Sequence, residues 1–215
     1  SGSDKHIVGF VTTMPFDEVR YTVSQTVGLD VGTTSVFHAV ITSYCAGLTP
    51  VCNTPTALTQ SAYPAAISSS GLTGLTLGSI NGVGNVVSAS LSDSATIFLP
   101  VGIAATGHIA VKDQITDYPA GYFAGFEVKN TALLGVGLLN GSTITTYLNG
   151  VQQENKTAGA LISLVSGSDK HIVGFVTTMP FDEIRYTVSQ TVGLDVGTTS
   201  VFHAVITSYC AGTTP

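Results

Sequence analysis

The chain has 215 residues, a formal net charge of −6 and a charged fraction of 9%, well below the ~25% of an average soluble domain. Its seven basic residues are scattered singly, which excludes the clustered Lys/Arg footprint of a nucleic-acid-binding protein. Mean hydropathy is +0.41, yet every window of about 18 residues contains polar residues or glycine, so no membrane span is predicted.

The first strand patterns lie near the N-terminus. EVRYTV, residues 18–23, alternates so that Val, Tyr and Val share one face and Glu, Arg and Thr the other, which predicts a half-buried β-strand. HIVGFVTT at 6–13 and TSVFHAVIT at 34–42 are short runs rich in β-branched and aromatic residues, and we interpret both as strands.

Further strand patterns follow in the middle of the chain. They are ATIFLP at 95–100, HIAVKD at 108–113 and YFAGFEVKN at 122–130. In TITTYLNGVQQE, Asn149-Gly150 separates two alternating runs, and both residue types tolerate the positive φ of a type I′ turn, which predicts a two-residue hairpin. NTALLGVGLLNGS, residues 130–142, is apolar enough for a short helix but contains interrupting glycines, so we interpret it as a connection between strands.

The last 50 residues repeat the first 50. Residues 166–215 differ from residues 1–50 at two pairs of positions, Val19/Ile184 and Leu48/Thr213, which gives a period of 165 residues. A period of domain size favours tandem copies of a self-contained fold, since 165 residues bury roughly 70% of their unfolded surface.

Many short strands separated by Gly, Asn and Ser turns predict an all-β fold. We expect an antiparallel, jelly-roll-like β-sandwich in tandem repeats of 165 residues. On this interpretation residues 1–45 are the C-terminal part of a preceding repeat, residues 46–53 are a linker, and residues 54–215 are one complete repeat domain and the start of the next linker. The strands at the C-terminal end are expected to pair with strands from residues 95–165.

Three cysteines lie at the copy junctions. Cys45 and Cys52 flank six residues that include Gly and Pro, and Cys210 is the copy of Cys45. We predict a Cys45–Cys52 disulfide that closes the linker, with Cys210 bonded to a cysteine beyond the chain end. Three free, buried thiols are the alternative. A disulfide would place the protein in an oxidising compartment.

No pattern of catalytic residues emerges, and the chain is predicted not to be an enzyme. The adjacent carboxylates of FDE, Asp182-Glu183 and their copies, point to opposite faces of a strand, so they do not form an acid/base pair. Glycine-rich GVGLLNG and NGVGNVV lack the spacing of a nucleotide-binding loop. The histidines lack metal-ligand spacing, and no cofactor is expected.

Two groups of residues, one acidic and one aromatic, are candidate binding sites. Loop oxygens are the ligands that calcium prefers, and the calcium candidates are Asp93, Asp113, Asp117 and Glu127, although no two of them show an EF-hand or nonapeptide pattern. The aromatic side chains of Tyr63, Tyr118, Tyr122, Phe123 and Tyr147 either fill the core or stack on a sugar ring, with Tyr122 and Tyr147 as the candidates for stacking.

Several sequence segments of the chain resemble known proteins. YPAGYFAGFEVKNTALLGVGLL, TITTYLNGVQQE, VGFVTTMPFDEVRYTVS and YCAGLTPVCNTP together resemble the tandem domains of very large surface proteins that Bacteroidota secrete through the type IX system. The frame SDSAT…FDEVRYTV is also similar to galactose-binding-like jelly rolls, but the chain has no Trp and lacks their usual basic sugar contacts.

The resemblance implies an extracellular, cell-surface adhesin or filament in which each repeat is a structural spacer and display stalk. Its implied partners are neighbouring copies of the repeat, in series or in a filament, and surface glycans. In that phylum an Asp-Ser/Thr-aliphatic motif is commonly O-glycosylated, and Asp93-Ser94-Ala95 matches it at Ser94. The alternative function is a lectin-like carbohydrate-binding module repeated in tandem.

Overall fold

The computed structural model describes residues 6–12, 14–24, 33–45, 47–74, 78–100, 104–130, 136–166, 169–190 and 197–210. It divides into two units, Ser1–Ser43 and Tyr44–Pro215. None of the helices in these ranges has the length and apolar character that a membrane crossing requires.

The Tyr44–Pro215 unit is built of β-strands. They are β1 (Thr56–Ala57), β2 (Ala65–Gly74), β3 (Ser79–Asn81), β4 (Ala95–Leu99), β5 (Ala105–Asp113), β6 (Phe123–Asn130), β7 (Ser142–Leu148), β8 (Val151–Thr157), β9 (Ile162–Val165), β10 (His171–Val176), β11 (Glu183–Gln190) and β12 (Gly197–Thr207). A five-residue helix, α1 (Val136–Asn140), lies in the connection between β6 and β7, where the sequence predicted a strand-to-strand connection.

The strands form two antiparallel sheets in a jelly-roll arrangement. One sheet has the order β3-β4-β12-β6-β10-β9, with β1 also paired to β12, and the other has the order β2-β5-β11-β7-β8. From β4 onward the strands pair in a nested order: β4 with β12, β5 with β11, β6 with β10 and β7 with β8. Successive pairs alternate between the two sheets, which is the pattern of a jelly roll. The predicted all-β, jelly-roll-like sandwich is confirmed.

Alternation along the strands supplies the core between the sheets. On β11, Ile184, Tyr186 and Val188 are buried and point inward. The Tyr186 ring contacts that of Phe126 from the opposite sheet, with 5.9 Å between ring centroids. Each such side chain contributes roughly 1.5–3 kcal/mol to the free energy of unfolding, so this face decides the orientation of the strand.

The predicted hairpin is confirmed. Leu148 pairs with Val151 across the turn, and Asn149 and Gly150 have φ values of 51° and 77°. Both central residues therefore have the positive φ that a type I′ turn requires, which an Asn-Gly pair adopts at low cost.

The second copy of the repeated block supplies interior strands. Its strands β11 and β12 each lie between two neighbours, and they pair with strands from residues 95–165 as the sequence predicted. In the described part of residues 1–43, by contrast, no residue forms a strand. Phe10 is 87% exposed whereas its copy Phe175 is 3% exposed, so the same sequence has two different environments.

The predicted disulfide pairing is wrong. Cys52 is bonded to Cys210, and Cys45 is a free, exposed thiol. The physical reason is the position of β1: it pairs with the end of β12, and the Asn53 amide donates a hydrogen bond to the Ser208 carbonyl at 2.7 Å. This pairing brings the two ends of one sandwich together, so the disulfide joins the first and last strands of a domain and does not close the segment 46–53 on itself.

Candidate functional site: the polar sheet face

The outer surface of the five-stranded sheet is lined by hydrophilic side chains. On β5, Ile109 and Val111 point into the core, so the residues that alternate with them point away from it. Strand register extends this surface across all five strands. We name it the polar sheet face; it consists of Ser69 on β2; Thr106, His108 and Lys112 on β5; Glu183, Arg185, Thr187 and Ser189 on β11; Thr143, Thr145 and Tyr147 on β7; and Gln152, Asn155 and Thr157 on β8.

Arg185 lies at the centre of the polar sheet face. Its guanidinium carbon is 4.6 Å from the centroid of the Tyr147 ring, which is within the range of a cation–π interaction. One terminal nitrogen donates to Ser69 Oγ at 3.3 Å and lies 3.9 Å from Glu183 Oε1. The Nε of Arg185 is buried and has no hydrogen-bond partner among the described residues. The guanidinium therefore keeps an unused donor beside an aromatic ring.

A row of alternating charges borders Arg185. Lys112 Nζ lies 2.9 Å from Asp182 Oδ2, and the same carboxylate oxygen accepts a hydrogen bond from the Asn149 amide at 3.0 Å. Burial raises the pKa of Glu183, and the nearby Asp182 carboxylate acts in the same direction, whereas Arg185 and Lys112 oppose both. Lys112 thus lies beside the Asp182 carboxylate and Arg185 beside the Glu183 carboxylate at the edge of the face.

His108 occupies the neighbouring row, opposite Thr187 on β11 and Gly71 on β2. Burial lowers the pKa of His108, and the Arg185 charge lowers it further. A neutral imidazole offers one donor and one acceptor at pH 7. A side chain at residue 71 would place its Cβ 3.2 Å from the imidazole. The glycine at this position therefore leaves space for the ring.

The arrangement provides hydroxyl, amide and charged groups with one aromatic ring on a sheet surface. Such a surface can hydrogen-bond a polar ligand along several strands at once, with the ring as an apolar contact. Elsewhere, on the other sheet, Ser163 Oγ lies 3.1 Å from His171 Nδ1. Among the described contacts no carboxylate orients that imidazole, so this pair lacks the third group of a catalytic triad.

The predicted calcium candidates are not brought together. Asp113 accepts hydrogen bonds from the Ile115 and Thr116 amides at 2.9 and 3.0 Å and from the Tyr118 hydroxyl at 2.7 Å, so its carboxylate is used within its own loop. Burial, followed by this bond to Asp113, raises the pKa of Tyr118. Asp117 is exposed in the same connection between β5 and β6.

The other two calcium candidates have partners of their own. Asp93 accepts hydrogen bonds from Ser88 and Ser90, and Glu127, on β6 of the other sheet, accepts from Ser166 and Lys170. Within the described ranges, no three or more His, Cys, Asp or Glu side chains form a group that fits a metal ion.

The two candidates for sugar stacking have different surroundings. Tyr147 lies on the polar sheet face beside Arg185. Tyr122 lies in the connection before β6, where its ring packs against the core and contacts Tyr118 at a centroid distance of 5.7 Å. Ser94, the candidate for O-glycosylation, is half-buried directly before β4 and remains a prediction.

Sequence reasoning did not select Arg185, His108 or Ser69 as site residues. A signal was present, because the alternation in EIRYTV already places Glu, Arg and Thr together on the face opposite the core. Which strands flank that face, and therefore that Ser69 and His108 join it, depends on pairings between residues far apart in the chain.

No protein-family model matches the chain, and no curated protein matches it. Among solved structures, the family 32 carbohydrate-binding module of C. perfringens NanJ in complex with galactose is similar with a TM-score of 0.41 and 16% identity, covering 71% of this chain and 98% of that one. A mutant of the family 29 module CBM29-2 complexed with mannohexaose is similar with a TM-score of 0.37 and 14% identity, covering 73% of this chain and 93% of that one. The family 32 module of Streptococcus pneumoniae EndoD is similar with a TM-score of 0.35 and 10% identity, covering 67% of this chain and 95% of that one.

Proposed function

We propose that the sandwich is a non-catalytic, lectin-like carbohydrate-binding module of an extracellular surface protein, with the polar sheet face as its glycan-binding surface. The observation that carries this proposal is the Arg185 guanidinium stacked on the Tyr147 ring in the middle of an open, hydrophilic sheet face.

A glycan suits this surface chemically. Sugars present vicinal hydroxyl groups, which accept paired hydrogen bonds from a planar guanidinium and exchange others with Ser, Thr, Asn and Gln side chains. They also present apolar C–H patches that pack on an aromatic ring. The terminal guanidinium nitrogens of Arg185 and the neutral imidazole of His108 add directional groups on the same face.

An extracellular location is part of the proposal. The Cys52–Cys210 disulfide is typical of proteins that fold in an oxidising compartment. A cell-surface adhesin that presents one glycan-binding face per repeat gains avidity when several repeats engage the same surface.

A second candidate function is a structural spacer in an adhesin or filament, which presents other parts of the protein at a distance. The observation that favours it is the near-identity of residues 1–50 and 166–215, since a stalk tolerates interchangeable copies. On this hypothesis the partners are neighbouring repeats, and the polar sheet face has no ligand.

A glycan array probed with the 215-residue chain, followed by titration calorimetry, separates the two. Galactose and mannohexaose belong among the probes because one is a monosaccharide and the other is a chain of six mannose units, so they test for single-residue and extended binding. The expected result is binding of at least one defined glycan with a millimolar or lower Kd. Arg185→Ala and Tyr147→Ala should each weaken it by at least about tenfold, equivalent to ~1.4 kcal/mol.

Arg20→Ala is the matched control, because Arg20 is the copy of Arg185 in the first block and lies outside the sandwich unit. It should leave the Kd unchanged. Circular dichroism melts identify any variant that has lost its fold. Equal affinity of the folded Arg185→Ala variant and the parent chain would exclude this face as the site, and no binding to any glycan would favour the spacer.

A further inference from the structure

Residues 1–45 are a second copy of the segment that completes the sandwich. We call residues 48–165 the frame and residues 166–210 the seated arm. Residues 1–45, whose described ranges 6–12, 14–24 and 33–45 form no β-strand, are the unpaired arm, a name that refers to strand pairing alone. The seated arm forms β10, β11 and β12, each paired along its length with frame strands. Since the unpaired arm has the same sequence apart from one position, Val19 for Ile184, the contacts of the seated arm are available to it.

The unpaired arm leaves exposed the side chains that the seated arm buries. Val8, Val36 and Ile41 are 75%, 67% and 77% exposed. Their copies in the seated arm, which are Val173, Val201 and Ile206, are each 0% exposed and belong to the core. These apolar side chains belong to the strand patterns 6–13 and 34–42, and in the described chain they lack the layer against which their copies pack.

Gly174 and its copy Gly9 also have different surroundings. In the seated arm, a Cβ on Gly174 would lie 2.3 Å from the Ala124 carbonyl oxygen and 2.5 Å from the Phe123 ring, so β10 and β6 approach closely only because residue 174 is glycine. Gly9 is its copy, and a Cβ there would meet nothing within 4 Å. The glycine at position 9 therefore suits a neighbouring strand like β6, and among the described residues no strand pairs with residues 6–12.

The cysteines agree with this pattern. Cys210 of the seated arm is bonded to Cys52 of the frame, whereas its copy Cys45 is a free thiol. The one core difference is also compatible, because Ile184 is buried and valine occupies less volume at the same place.

We propose that the unpaired arm docks onto a second copy of the frame, completing another sandwich in which Cys45 is disulfide-bonded to that frame's counterpart of Cys52. The partner is thus a segment with the sequence of residues 48–165. Each disulfide then joins the ends of one sandwich, and successive sandwiches share a continuous chain.

The test is a chain in which a copy of residues 48–165 is placed directly before Ser1, so that the added frame precedes the unpaired arm as residue 165 precedes Ser166. Thiol titration of the native chain should find the free Cys45, and titration of the extended chain should find no free thiol. Peptide mapping without reduction should recover Cys45 bonded to the added copy of Cys52. Two free thiols, or Cys45 bonded elsewhere, would overturn the proposal.

Hydrogen exchange tests the docking independently of the sulfur chemistry. Amides of residues 6–12 and 17–24 should change from fast exchange in the native chain to protection, by at least about a hundredfold, in the extended chain. This protection should persist when the added Cys52 is serine, because strand pairing and not the disulfide seats the arm. Gly9→Ala should remove the protection in the extended chain. If residues 6–24 exchange equally fast in the native and extended chains, the arm does not dock.

Discussion

Cys52 is disulfide-bonded to Cys210 although the two lie 158 positions apart in sequence. Their Cα atoms are 5.5 Å apart because β1, which follows Cys52, pairs with the end of β12, which precedes Cys210. The bond therefore encloses nearly the whole sandwich in one covalent loop.

Breaking this loop should destabilise the sandwich strongly. Cys52→Ser is expected to lower the free energy of unfolding by about 2–5 kcal/mol, since a long closed loop restricts the unfolded chain most. Urea unfolding followed by circular dichroism measures the effect. Cys45→Ser is the matched control and should leave the unfolding curve unchanged, because Cys45 is a free thiol. Equal destabilisation by both substitutions would contradict the Cys52–Cys210 pairing.

The natural difference between the two copies gives a second prediction. Ile184 is buried in the core, so Ile184→Val should lower the free energy of unfolding by about 0.5–1.5 kcal/mol through the loss of one buried methylene. Val19→Ile introduces the reverse change at a position that is 55% exposed and should have no measurable effect. Thermal denaturation of both variants checks this contrast, and a change in Tm with Val19→Ile would show that residue 19 is packed in the native chain.

The close approach of β6 and β10 gives a third prediction. Gly174→Ala should cost about 1–3 kcal/mol, because its Cβ would overlap the backbone of Ala124 and the ring of Phe123. Gly9→Ala makes the same substitution in the first copy, where nothing lies within 4 Å, and should be neutral. Denaturant midpoints of the two variants provide the comparison, and similar midpoints would argue against the β6–β10 register.

The environment of His108 gives a pH dependence. Burial, with the Arg185 charge as the second cause, lowers the folded-state pKa of His108 below its ordinary value of 6.5. The unfolded chain therefore binds a proton first on acidification, so this contribution to stability is present above pH 6.5 and is lost as the pH falls below it. Relative to His108→Gln, the parent chain should lose stability more steeply in that range.

Urea unfolding at a series of pH values between about 5 and 8 measures this difference in slope. NMR titration of the His108 ring gives its pKa directly. Because the guanidinium charge contributes to the lowering, Arg185→Ala should move the pKa of His108 upward. Parallel pH profiles for the parent chain and His108→Gln would contradict the assignment.

The loop between β5 and β6 gives a fifth prediction. Tyr118→Phe removes the 2.7 Å hydrogen bond from a buried hydroxyl to the Asp113 carboxylate and should cost about 1.5–3 kcal/mol, the usual range for a bond to a charged acceptor. Tyr209→Phe removes a hydroxyl from a side chain that is 52% exposed and serves as the control. Equal unfolding free energies for the two variants would show that the Tyr118–Asp113 bond adds little.

Local features of the fold were readable from the sequence because their causes are local. The alternation in EIRYTV identified β11 and its buried face, and Asn149-Gly150 identified the β7–β8 turn, since both depend on neighbouring residues. The candidate site was partly readable: Tyr147 was selected, but Arg185 and His108 were not, because their relation to Tyr147 exists only across paired strands.

The sequence by itself determined the repeat, the all-β class and the strand faces, because these follow from residue order and side-chain periodicity. The tertiary structure alone decided which cysteines bond and whether a strand pattern forms a strand. Residues 6–12 and 171–177 are identical, yet in the described chain only the second copy is paired, with β6 and β9 beside it. A β-strand satisfies its backbone and buries its apolar face through partners distant in sequence, so its own residues specify the pattern while the partners decide the structure.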